Sequence, residues 1–391
     1  MKKKRILTLI DYYLPGYKAG GPIRTMANLA DQLSDEYEFW IVTRDRDLGD
    51  RDAYDGVELA VWTEYGNAKI FYIPKLQWGP RIMHHLLVST QYDILYLNSF
   101  FSPMVTGFPL LLRLFKVTKP VPVVLAPRGQ LTSGALNLKS TKKRFYIALV
   151  KKLGLYNDLL WQASSKREEN DIRRLNLDCN DSIYIAPDLL SKVESTVAGA
   201  ALVQRPLGPV RLVFISRISP IKNLDFLLRV LNRVACMVEL SVYGPKEDLK
   251  YWEVCQRMIE SLPSNIKVSV GGHIPYEHVQ SVFSQQDLFV FPTQGENFGH
   301  VIFEAMSVGT SVLVSDQTPW RADPRGAVQV LPLEEQKWCT AIECWGYMEP
   351  EQFLERRRAA FVYAQEYLDE SQSIEKSKLL FSSSLNLDKL S

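Results

Sequence analysis

Short apolar runs alternate with amphipathic stretches along most of the chain, and this alternation predicts a parallel α/β architecture. In the first half, the predicted strands lie at residues 5–10, 38–43, 69–73, 94–97, 121–126 and 183–186. In the second half, they lie at residues 211–215, 238–243, 266–270, 288–291, 311–314 and 328–331. Helical periodicity fills the intervals, for example at residues 24–33, 80–89, 142–152, 224–232 and 351–368.

The alternation lapses once, between residues 188 and 209, where small and polar residues surround two prolines and a glycine. Such a stretch is typical of a linker. We therefore expect two Rossmann-like domains, at residues 1–190 and 205–367, whose sheets face each other across a ligand-binding cleft. A polar tail, at residues 368–391, follows the second domain.

The composition narrows the class of protein. The 391 residues are 46% hydrophobic, enough for two buried cores, and a formal net charge of +2 does not favour a nucleic-acid partner. The five cysteines show no paired short spacing, which is typical of reduced thiols rather than of a disulfide frame or a zinc site. Residues 1–10 imitate a secretory signal, but Asp11 ends the apolar stretch early, and no apolar run approaches the ~20 residues that span a bilayer. We expect a cytoplasmic protein, bound at most to a membrane surface.

Two carboxylates, Glu296 and Glu304, follow a predicted strand in the second domain. Glu296 follows the strand at 288–291, where open α/β sheets bind ligands, and Glu304 lies in the next helix. With a helical rise of ~1.5 Å per residue they would lie about 12 Å apart, which suits an extended ligand with two hydroxyl-rich ends. The backbone amides from Asn297 to His300 would receive an anion between these ends. The layout predicts a sugar-nucleotide site.

Two cations, Arg217 and Lys222, follow the first strand of the second domain, at the same predicted edge of the sheet as Glu296. Two cations suit a diphosphate, because its charge grows as the sugar leaves. Taken alone, they also fit solvated loop residues. Their position beside the glutamate motif favours diphosphate binding.

Glycine pairs follow two other strands. Gly20-Gly21 precedes a helix and permits close approach of the backbone to a ligand phosphate. A second pair, at residues 271–272, precedes His273 and Ile274, whose backbone would hydrogen-bond a nucleobase edge. Ordinary turns are the alternative for both pairs.

The helix at residues 139–152 is basic, with Phe145, Ile147, Leu149 and Val150 interleaved among its cations. Such a helix would lie on an anionic membrane surface. The alternative is a solvated helix packed on its own domain.

Together these features resemble the large family of retaining glycosyltransferases of GT-B fold that is commonly numbered four. The resemblance is strongest over residues 211–319, and the segment 315–320 (Ser-Asp-Gln-Thr-Pro-Trp) is similar to the bacterial polysaccharide branch. No phosphate loop, Gly-x-Gly-x-x-Gly run, Gly-x-Ser-x-Gly elbow or His-Glu-x-x-His motif occurs in the sequence, which counts against other nucleotide-binding and hydrolytic classes.

The resemblance implies a role for each of these residues. It implies that Glu296 contacts the transferred sugar, that Glu304 contacts the ribose, and that the tail packs on the first domain. The diphosphate would be bound by Arg217, Lys222 and the amides of Phe298 and Gly299, with Gly20 and Gly21 closing on the donor. Asn297 occupies a position that is often small in relatives.

Arg128 follows the strand at 121–126, where many members of the family carry histidine. We expect its side chain to serve the acceptor or a phosphate-linked carrier, because a guanidinium suits a phosphate or carboxylate. A structural ion pair is the alternative.

Asp45-Arg46-Asp47 is similar to the aspartate pair that holds a divalent metal in another class of glycosyltransferase. It lies in a highly charged loop without the other features of that class. We therefore interpret it as a solvated charged loop and predict no metal site.

The sequence thus predicts a metal-independent retaining transferase with no cofactor, using a nucleotide-diphosphate sugar, with a UDP-sugar favoured over a GDP-sugar. The expected acceptor is a glycan or lipid-linked oligosaccharide of bacterial surface polysaccharide or lipopolysaccharide, at the cytoplasmic face of the membrane. A GT-B-fold sugar-nucleotide 2-epimerase and a catalytically silent sugar-nucleotide-binding partner are the alternatives.

Overall fold

The chain divides into two units, Met1–Leu190 with Gln372–Ser391, and Ser191–Ser371. The structure is a computed structural model that describes residues 3–132, 136, 140–175, 182–190 and 208–387.

The first unit is built on one sheet. Its strands are β1 (Lys4–Ile10), β2 (Tyr37–Arg44), β3 (Trp62–Tyr65), β4 (Ala68–Ile73), β5 (Ile94–Asn98), β6 (Val123–Ala126), β7 (Leu160–Ala163) and β8 (Ile183–Ile185). Its helices up to this point are α1 (Gly21–Gln32), α2 (Pro80–Ser89), α3 (Phe108–Leu114), α4 (Ser140–Lys152) and α5 (Lys166–Arg173). The described strands lie in the order β3-β4-β2-β1-β5-β6-β7-β8, and all pairs are parallel except β3 with β4.

The central strand β1 shows why the sheet is buried on both faces. Its side chains point alternately to the two faces, so Leu7 and Leu9 enter one apolar core while Ile6 and Ile10 enter the other. Parallel strands covered on both faces carry continuous apolar runs rather than strict alternation.

The second unit repeats this plan. Its strands are β9 (Val210–Ile215), β10 (Val238–Tyr243), β11 (Ile266–Gly272), β12 (Leu288–Phe291), β13 (Ser311–Ser315) and β14 (Val328–Leu331). Its helices are α6 (Leu224–Leu231), α7 (Leu249–Glu260), α8 (Tyr276–Ser284), α9 (His300–Ser307), α10 (Glu335–Gly346) and α11 (Pro350–Ser371). The described strands are parallel, in the order β11-β10-β9-β12-β13-β14. The order reverses between β9 and β12, and the crevice outside such a switch point is where open sheets bind ligands.

The polar tail is a helix, α12 (Ser373–Leu387), which belongs to the first unit. Ser377, Leu380, Phe381 and Ser384 recur at helical spacing and are buried. The ring of Phe381 lies 5.5 Å from that of Tyr37 and 5.4 Å from that of Tyr96, centroid to centroid. The sequence did not indicate the buried face of this helix, because two of these four buried residues are serines.

The predicted alternation of strands and helices is confirmed, with two strands added. β3 is a partly exposed edge strand, and β7 has only four residues, so neither produced a clear apolar run. Helix α5 begins with the sequence of a capping box, Ser165-Lys-Arg-Glu168, but only half of its hydrogen bonds are present. Ser165 Oγ accepts from Glu168 N at 3.2 Å, but the Glu168 carboxylate accepts from the amides of Gly129 and Ser164. Among the described residues, no helix is long and apolar enough to cross a membrane.

Candidate functional site

An ion pair lies at the switch point of the second sheet. Lys222 Nζ is 2.7 Å from Glu296 Oε2, although the two residues are 74 positions apart in sequence. Lys222 ends the 3₁₀ turn Pro220–Lys222 after β9, and Glu296 lies in the loop between β12 and α9. Their side chains are 11% and 19% exposed, so both are shielded without being sealed. The structure therefore joins the predicted sugar-binding carboxylate to one of the two predicted phosphate-binding cations.

Main-chain hydrogen bonds fix the two loops that carry this pair. Ile221 O accepts from Gln294 N at 2.8 Å and from Thr293 Oγ1 at 3.1 Å, so the turn after β9 is tied to the loop after β12. Glu296 N donates to Gln317 O at 3.2 Å. The positions of Lys222 and Glu296 are thus set by backbone contacts and do not depend on their own ion pair.

Gly299 allows the loop to turn into helix α9. Its φ of 82° is in the left-handed region, and a Cβ there would lie 2.8 Å from Ile302 Cδ1 and 3.0 Å from Glu296 Cγ. A larger residue at Gly299 would displace Glu296.

The helix begins later than the sequence suggested. α9 starts at His300, so the rise of a helix applies only from His300 to Glu304. The predicted spacing of ~12 Å between the two glutamates assumed a helix from Glu296 onward and therefore does not apply. The first-turn amides run from His300 to Ile302, while Asn297 N donates to Glu296 Oε1 at 3.2 Å. Glu304 lies inside α9 and is 8% exposed.

An aromatic cluster, which the sequence did not reveal, supports the glutamate loop. Phe298 is buried, and its ring lies 5.4 Å from Trp320 and 6.0 Å from Tyr367, centroid to centroid. Trp320 Nε1 donates to Phe298 O at 2.6 Å. Trp320 closes the segment 315–320 that carried part of the family resemblance, and this was the available signal. Tyr367 comes from α11, and no short motif pointed to it.

Arg217 has a carboxylate partner. Its Nη1 lies 2.9 Å from Glu247 Oε1, and the two side chains are 34% and 39% exposed. The loops after β9 and β10 meet closely here, because a Cβ on Gly244 would lie 1.8 Å from Ser216 O. Ile218 N also donates to Pro245 O at 2.8 Å. Glu247 is a residue of the site that sequence reasoning missed.

The second glycine pair has a structural use. A Cβ on Gly271 would lie 2.1 Å from Tyr243 Cε1, and Gly272 O accepts from Gly244 N at 2.7 Å. His273 and Ile274 follow directly, at the carboxyl end of β11. The predicted donor residues of the second unit therefore lie after β11, β9 and β12, at one edge of the sheet.

In the first unit, Gly20 and Gly21 lie after β1. Gly20 has a φ of 77° and precedes α1, which Gly21 begins. The preceding loop is held by Asp47, whose Oδ2 accepts from Tyr17 N at 2.6 Å and Lys18 N at 2.9 Å. The loop before this helix is thus anchored through its main chain.

The Asp45-Arg46-Asp47 loop is buried rather than solvated, which corrects our interpretation. Asp45 is 2% and Asp47 4% exposed, and Asp45 accepts from Arg46 Nε at 2.8 Å and Nη2 at 3.0 Å. Both carboxylates serve as structural acceptors. Within the described part of the chain, no group of three or more His, Cys, Asp or Glu side chains has the arrangement to hold a metal.

Arg128 makes an ion pair, which is the alternative that the sequence left open beside a role in binding the acceptor. Its Nη1 lies 2.5 Å from Asp188 Oδ1, its Nη2 donates to Tyr96 Oη at 2.6 Å, and its Nε donates to Asn98 Oδ1 at 3.0 Å. The side chains of Arg128 and Asp188 are 5% and 7% exposed, so the pair is buried. Burial opposes the charge, but Tyr96 and Asp188 raise the pKa of Arg128 above its usual value.

Helix α4 presents apolar and basic side chains to solvent. Phe145 is 71% and Leu149 43% exposed, and Lys142 and Arg144 are exposed on the same helix, whereas Val150 is buried. Residue 139, included in the predicted basic helix, lies outside the described residues.

Residues 203–323 match the family model described as Glycosyl transferases group 1. This segment includes β9 to β13 and both members of the Lys222–Glu296 pair.

Two curated relatives align with part of the chain. The GPI3 subunit of phosphatidylinositol N-acetylglucosaminyltransferase from Saccharomyces cerevisiae is 28% identical over 144 residues, which is 34% of this chain and 31% of that relative. Glycogen synthase from Desulfitobacterium hafniense is 33% identical over 106 residues, which is 27% of this chain and 22% of that relative. The chain matches less than a third of the length of these two relatives.

Solved structures match nearly the whole chain. Anabaena Alr3699/HepE in complex with UDP-glucose has a TM-score of 0.69 at 14% identity, covering 97% of this chain and 99% of that one. Sucrose-phosphate synthase from Thermosynechococcus elongatus has a TM-score of 0.69 at 15% identity, covering 97% and 100%. The predicted fold class is confirmed: the chain has the GT-B fold, with two α/β units that are each built on a largely parallel sheet.

Proposed function

We propose that the chain is a retaining glycosyltransferase that moves a sugar from a nucleotide-diphosphate sugar to a glycan or lipid-linked acceptor. The Lys222–Glu296 pair at the switch point of the second sheet carries this proposal. A cation and a carboxylate 2.7 Å apart offer a phosphate contact and a sugar-hydroxyl contact side by side. The match of residues 203–323 to the glycosyl transferases group 1 model supports the activity. The structural similarity to Anabaena Alr3699/HepE, solved with UDP and glucose and with UDP-glucose, supports a UDP-sugar as the donor.

Each residue has a proposed contact with the donor. Lys222 and Arg217 bind the diphosphate, Glu296 binds the hydroxyls of the transferred sugar, and Glu304 binds the ribose. The remaining donor contacts are assigned to Gly20, Gly21, His273, Ile274, Asn297, Phe298 and Gly299.

The proposed reaction takes place on one face of the sugar. The acceptor oxygen bonds to the anomeric carbon on the side from which the diphosphate departs, so the anomeric configuration is retained. The electron pair of the breaking anomeric C–O bond goes to a phosphate oxygen, which takes the acceptor's proton. No side chain acts as a nucleophile. Arg217 and Lys222 contribute by stabilising the charge that develops on the diphosphate, in place of a divalent metal.

A donor-binding experiment tests the proposal. A thermal-shift panel of UDP-, GDP- and dTDP-sugars should show the largest rise in melting temperature with a UDP-sugar, because a ligand that binds only the native state stabilises it. Glu304→Ala should weaken donor affinity about tenfold or more, since a ribose contact is present in ground and transition states alike. Glu296→Gln should instead lower turnover about tenfold or more, since a sugar contact strengthens as positive charge develops on the ring. Unchanged donor affinity in the first variant together with full turnover in the second would refute these assignments.

Product analysis in excess EDTA tests the reaction class. We expect transfer to persist, because two cations replace the metal at the diphosphate. Complete loss of transfer, restored by manganese, would overturn metal independence. Inversion at C2 of the donor sugar without transfer would point to an epimerase, and donor binding without any turnover to a silent partner protein.

We also propose that the acceptor is part of a bacterial surface polysaccharide and that the enzyme works at the inner face of the membrane. The exposed Phe145 and Leu149 beside Lys142 and Arg144 on α4 support contact with anionic lipid. Vesicles of phosphatidylglycerol should retain the protein and vesicles of phosphatidylcholine should not. The double variant Phe145→Ser/Leu149→Ser should lose this retention, while Tyr347→Ser, which removes a side chain 68% exposed in the second unit, should keep it. Equal retention of both variants would refute the role of α4.

A further inference from the structure

The first unit contains a cavity that the donor-site assignments do not use. It has a volume of about 160 Å³ and lies at the carboxyl ends of β1, β2 and β4. That edge is where open α/β sheets bind ligands. The lining side chains on which the inference rests are Tyr12, Arg44, Asp45, Asp47, Lys75 and Trp78.

The cavity has aromatic walls. The guanidinium carbon of Arg44 lies 4.2 Å from the ring centroid of Trp78 and 5.6 Å from that of Tyr12. Arg44 also donates to Asp11 Oδ1, from Nη2 at 3.2 Å and from Nε at 3.4 Å. The two rings are partly exposed and are held apart by an arginine whose position is fixed by its own ion pair.

The charges around the cavity are balanced within the protein. Asp45 is bound by the Arg46 guanidinium and accepts from Lys75 N at 3.2 Å. Asp47 accepts from three backbone amides, those of Tyr17, Lys18 and Leu48. The lining has three carboxylates and three cations, so the carboxylates disfavour a phosphate and the cavity offers no excess positive charge for one.

The cavity is small. Its volume of about 160 Å³ is below the ~300–1,000 Å³ of sites for drug-sized ligands, so it suits a ligand of about one ring. Aromatic rings beside hydrogen-bonding side chains whose charges sum to zero suit a sugar ring with apolar C–H faces and hydroxyls at its rim.

We propose that this cavity is a subsite for one neutral pyranose residue of the acceptor glycan. The proposal rests on the proposed transferase function, because a sugar site in the unit without the glutamate motif then serves the acceptor. Trp78 and Tyr12 contact the C–H faces of the ring, and Arg44 hydrogen-bonds its hydroxyls.

Another tryptophan of the same unit provides a matched control. Trp40 also lies against an arginine, with the Arg5 guanidinium carbon 3.9 Å from its ring centroid. Its ring is further covered by Trp62, at 4.7 Å between centroids. Trp40 is on β2, and its partner Arg5 is at the start of β1, toward the amino ends of the strands. Non-specific sugar stacking would affect both tryptophans.

The experiment uses the full chain labelled with 5-fluorotryptophan and observed by ¹⁹F NMR. Trp78→Phe and Trp40→Phe assign the two resonances, and the probes are the methyl glycosides of glucose, galactose, mannose and N-acetylglucosamine. At least one glycoside should shift the Trp78 resonance saturably, with a Kd of about 1 mM for a ligand of this size, and should leave Trp40 unchanged. Arg44→Lys should weaken this binding about tenfold, and Arg5→Lys should not change it. Should Arg44→Lys fail to melt cooperatively, Tyr12→Leu, which removes the opposite wall, takes its place.

Three results would overturn the subsite: no saturable shift of Trp78 with any glycoside, equal shifts of Trp78 and Trp40, or saturation by inorganic phosphate alone. UDP calorimetry on the same sample reports on the donor site. If the protein does not bind UDP, the proposed function is contradicted. If it binds UDP but no glycoside shifts the Trp78 resonance, only the sugar subsite is contradicted.

Discussion

Each unit has an ion pair whose arginine follows a strand of its sheet, but the two pairs differ in how far they are exposed to solvent. In the first unit, Arg128 and Asp188 have side chains 5% and 7% exposed, and their pair is enclosed with Tyr96 and Asn98. In the second unit, Arg217 and Glu247 are 34% and 39% exposed. Breaking a buried pair leaves an uncompensated charge in the interior, whereas a half-exposed pair opens at little cost. Of these two pairs, only Arg217–Glu247 is therefore available to a ligand that carries its own charge.

The largest expected effect is on the stability of the first unit. Arg128→Ala should destabilise it by about 3–5 kcal/mol, because Asp188 is left buried without its cation. Arg217→Ala should change the stability of the second unit by about 1 kcal/mol or less. Hydrogen exchange of peptides from β5 and β12, measured in increasing urea, reports on each unit separately.

A double variant separates loss of the pair from loss of packing. Arg128→Met with Asp188→Leu should recover part of the stability that Arg128→Ala loses, since apolar residues of similar size often replace a buried pair without cost. An Arg128→Ala protein of normal stability that fails only to bind acceptor would show that Arg128 serves the acceptor and would end the contrast between the two ion pairs.

The contrast between the units was not visible in the sequence. Arg128 and Arg217 each follow an apolar strand by one or two residues, so both fit a ligand-facing cation. What distinguishes them is the partner, and Asp188 and Glu247 come from later loops whose approach depends on the whole sheet. Local patterning predicted most of the strands because a parallel sheet must bury continuous apolar runs, but it did not give their order in the sheet.

The glutamate motif was easier to place because its neighbours in sequence are also its neighbours in space. Gly299, close to Glu296 in sequence, has a left-handed backbone conformation. Glycine adopts this conformation freely, whereas a residue with a side chain would be strained there. The burial of Asp45 and Asp47 was missed because each also accepts from main-chain amides of a distant loop, and amides leave no signature in a sequence.

The next prediction concerns alkaline pH and compares a buried tyrosine of the first unit with an exposed tyrosine of the second. Burial raises the pKa of Tyr92, in the first unit, to about 12. Below the unfolded pKa of about 10, both states keep the proton; above it, the unfolded state releases the proton first, so stability falls as pH rises. Between about pH 10 and 11 the loss should be about 1 kcal/mol for this residue. Urea unfolding of Tyr92→Phe should show a smaller fall than the parent protein.

Tyr347→Phe is the control for this measurement, because Tyr347 is 68% exposed in the second unit. It should retain the full alkaline loss of stability. If Tyr92→Phe also retains the full loss of stability, the pKa of Tyr92 is not higher in the folded state than in the unfolded state, and the prediction is wrong.

The smallest expected effect tests whether the Arg217–Glu247 pair is a device that a ligand opens. Glu247 holds Arg217 Nη1 at 2.9 Å, and the diphosphate would have to compete for the same guanidinium. Glu247→Gln removes the competing charge and should tighten UDP binding about 1.4-fold to fivefold, the equivalent of the 0.2–1 kcal/mol of an exposed pair. Calorimetry at low and high salt measures it, and the gain should shrink at high salt because exposed charges are screened. Glu253→Gln is the matched control, since this glutamate lies on α7, outside the pair. Weaker UDP binding in Glu247→Gln would show instead that Glu247 orients Arg217 for the ligand, and the second unit would then resemble the first in using a carboxylate to hold its arginine in place.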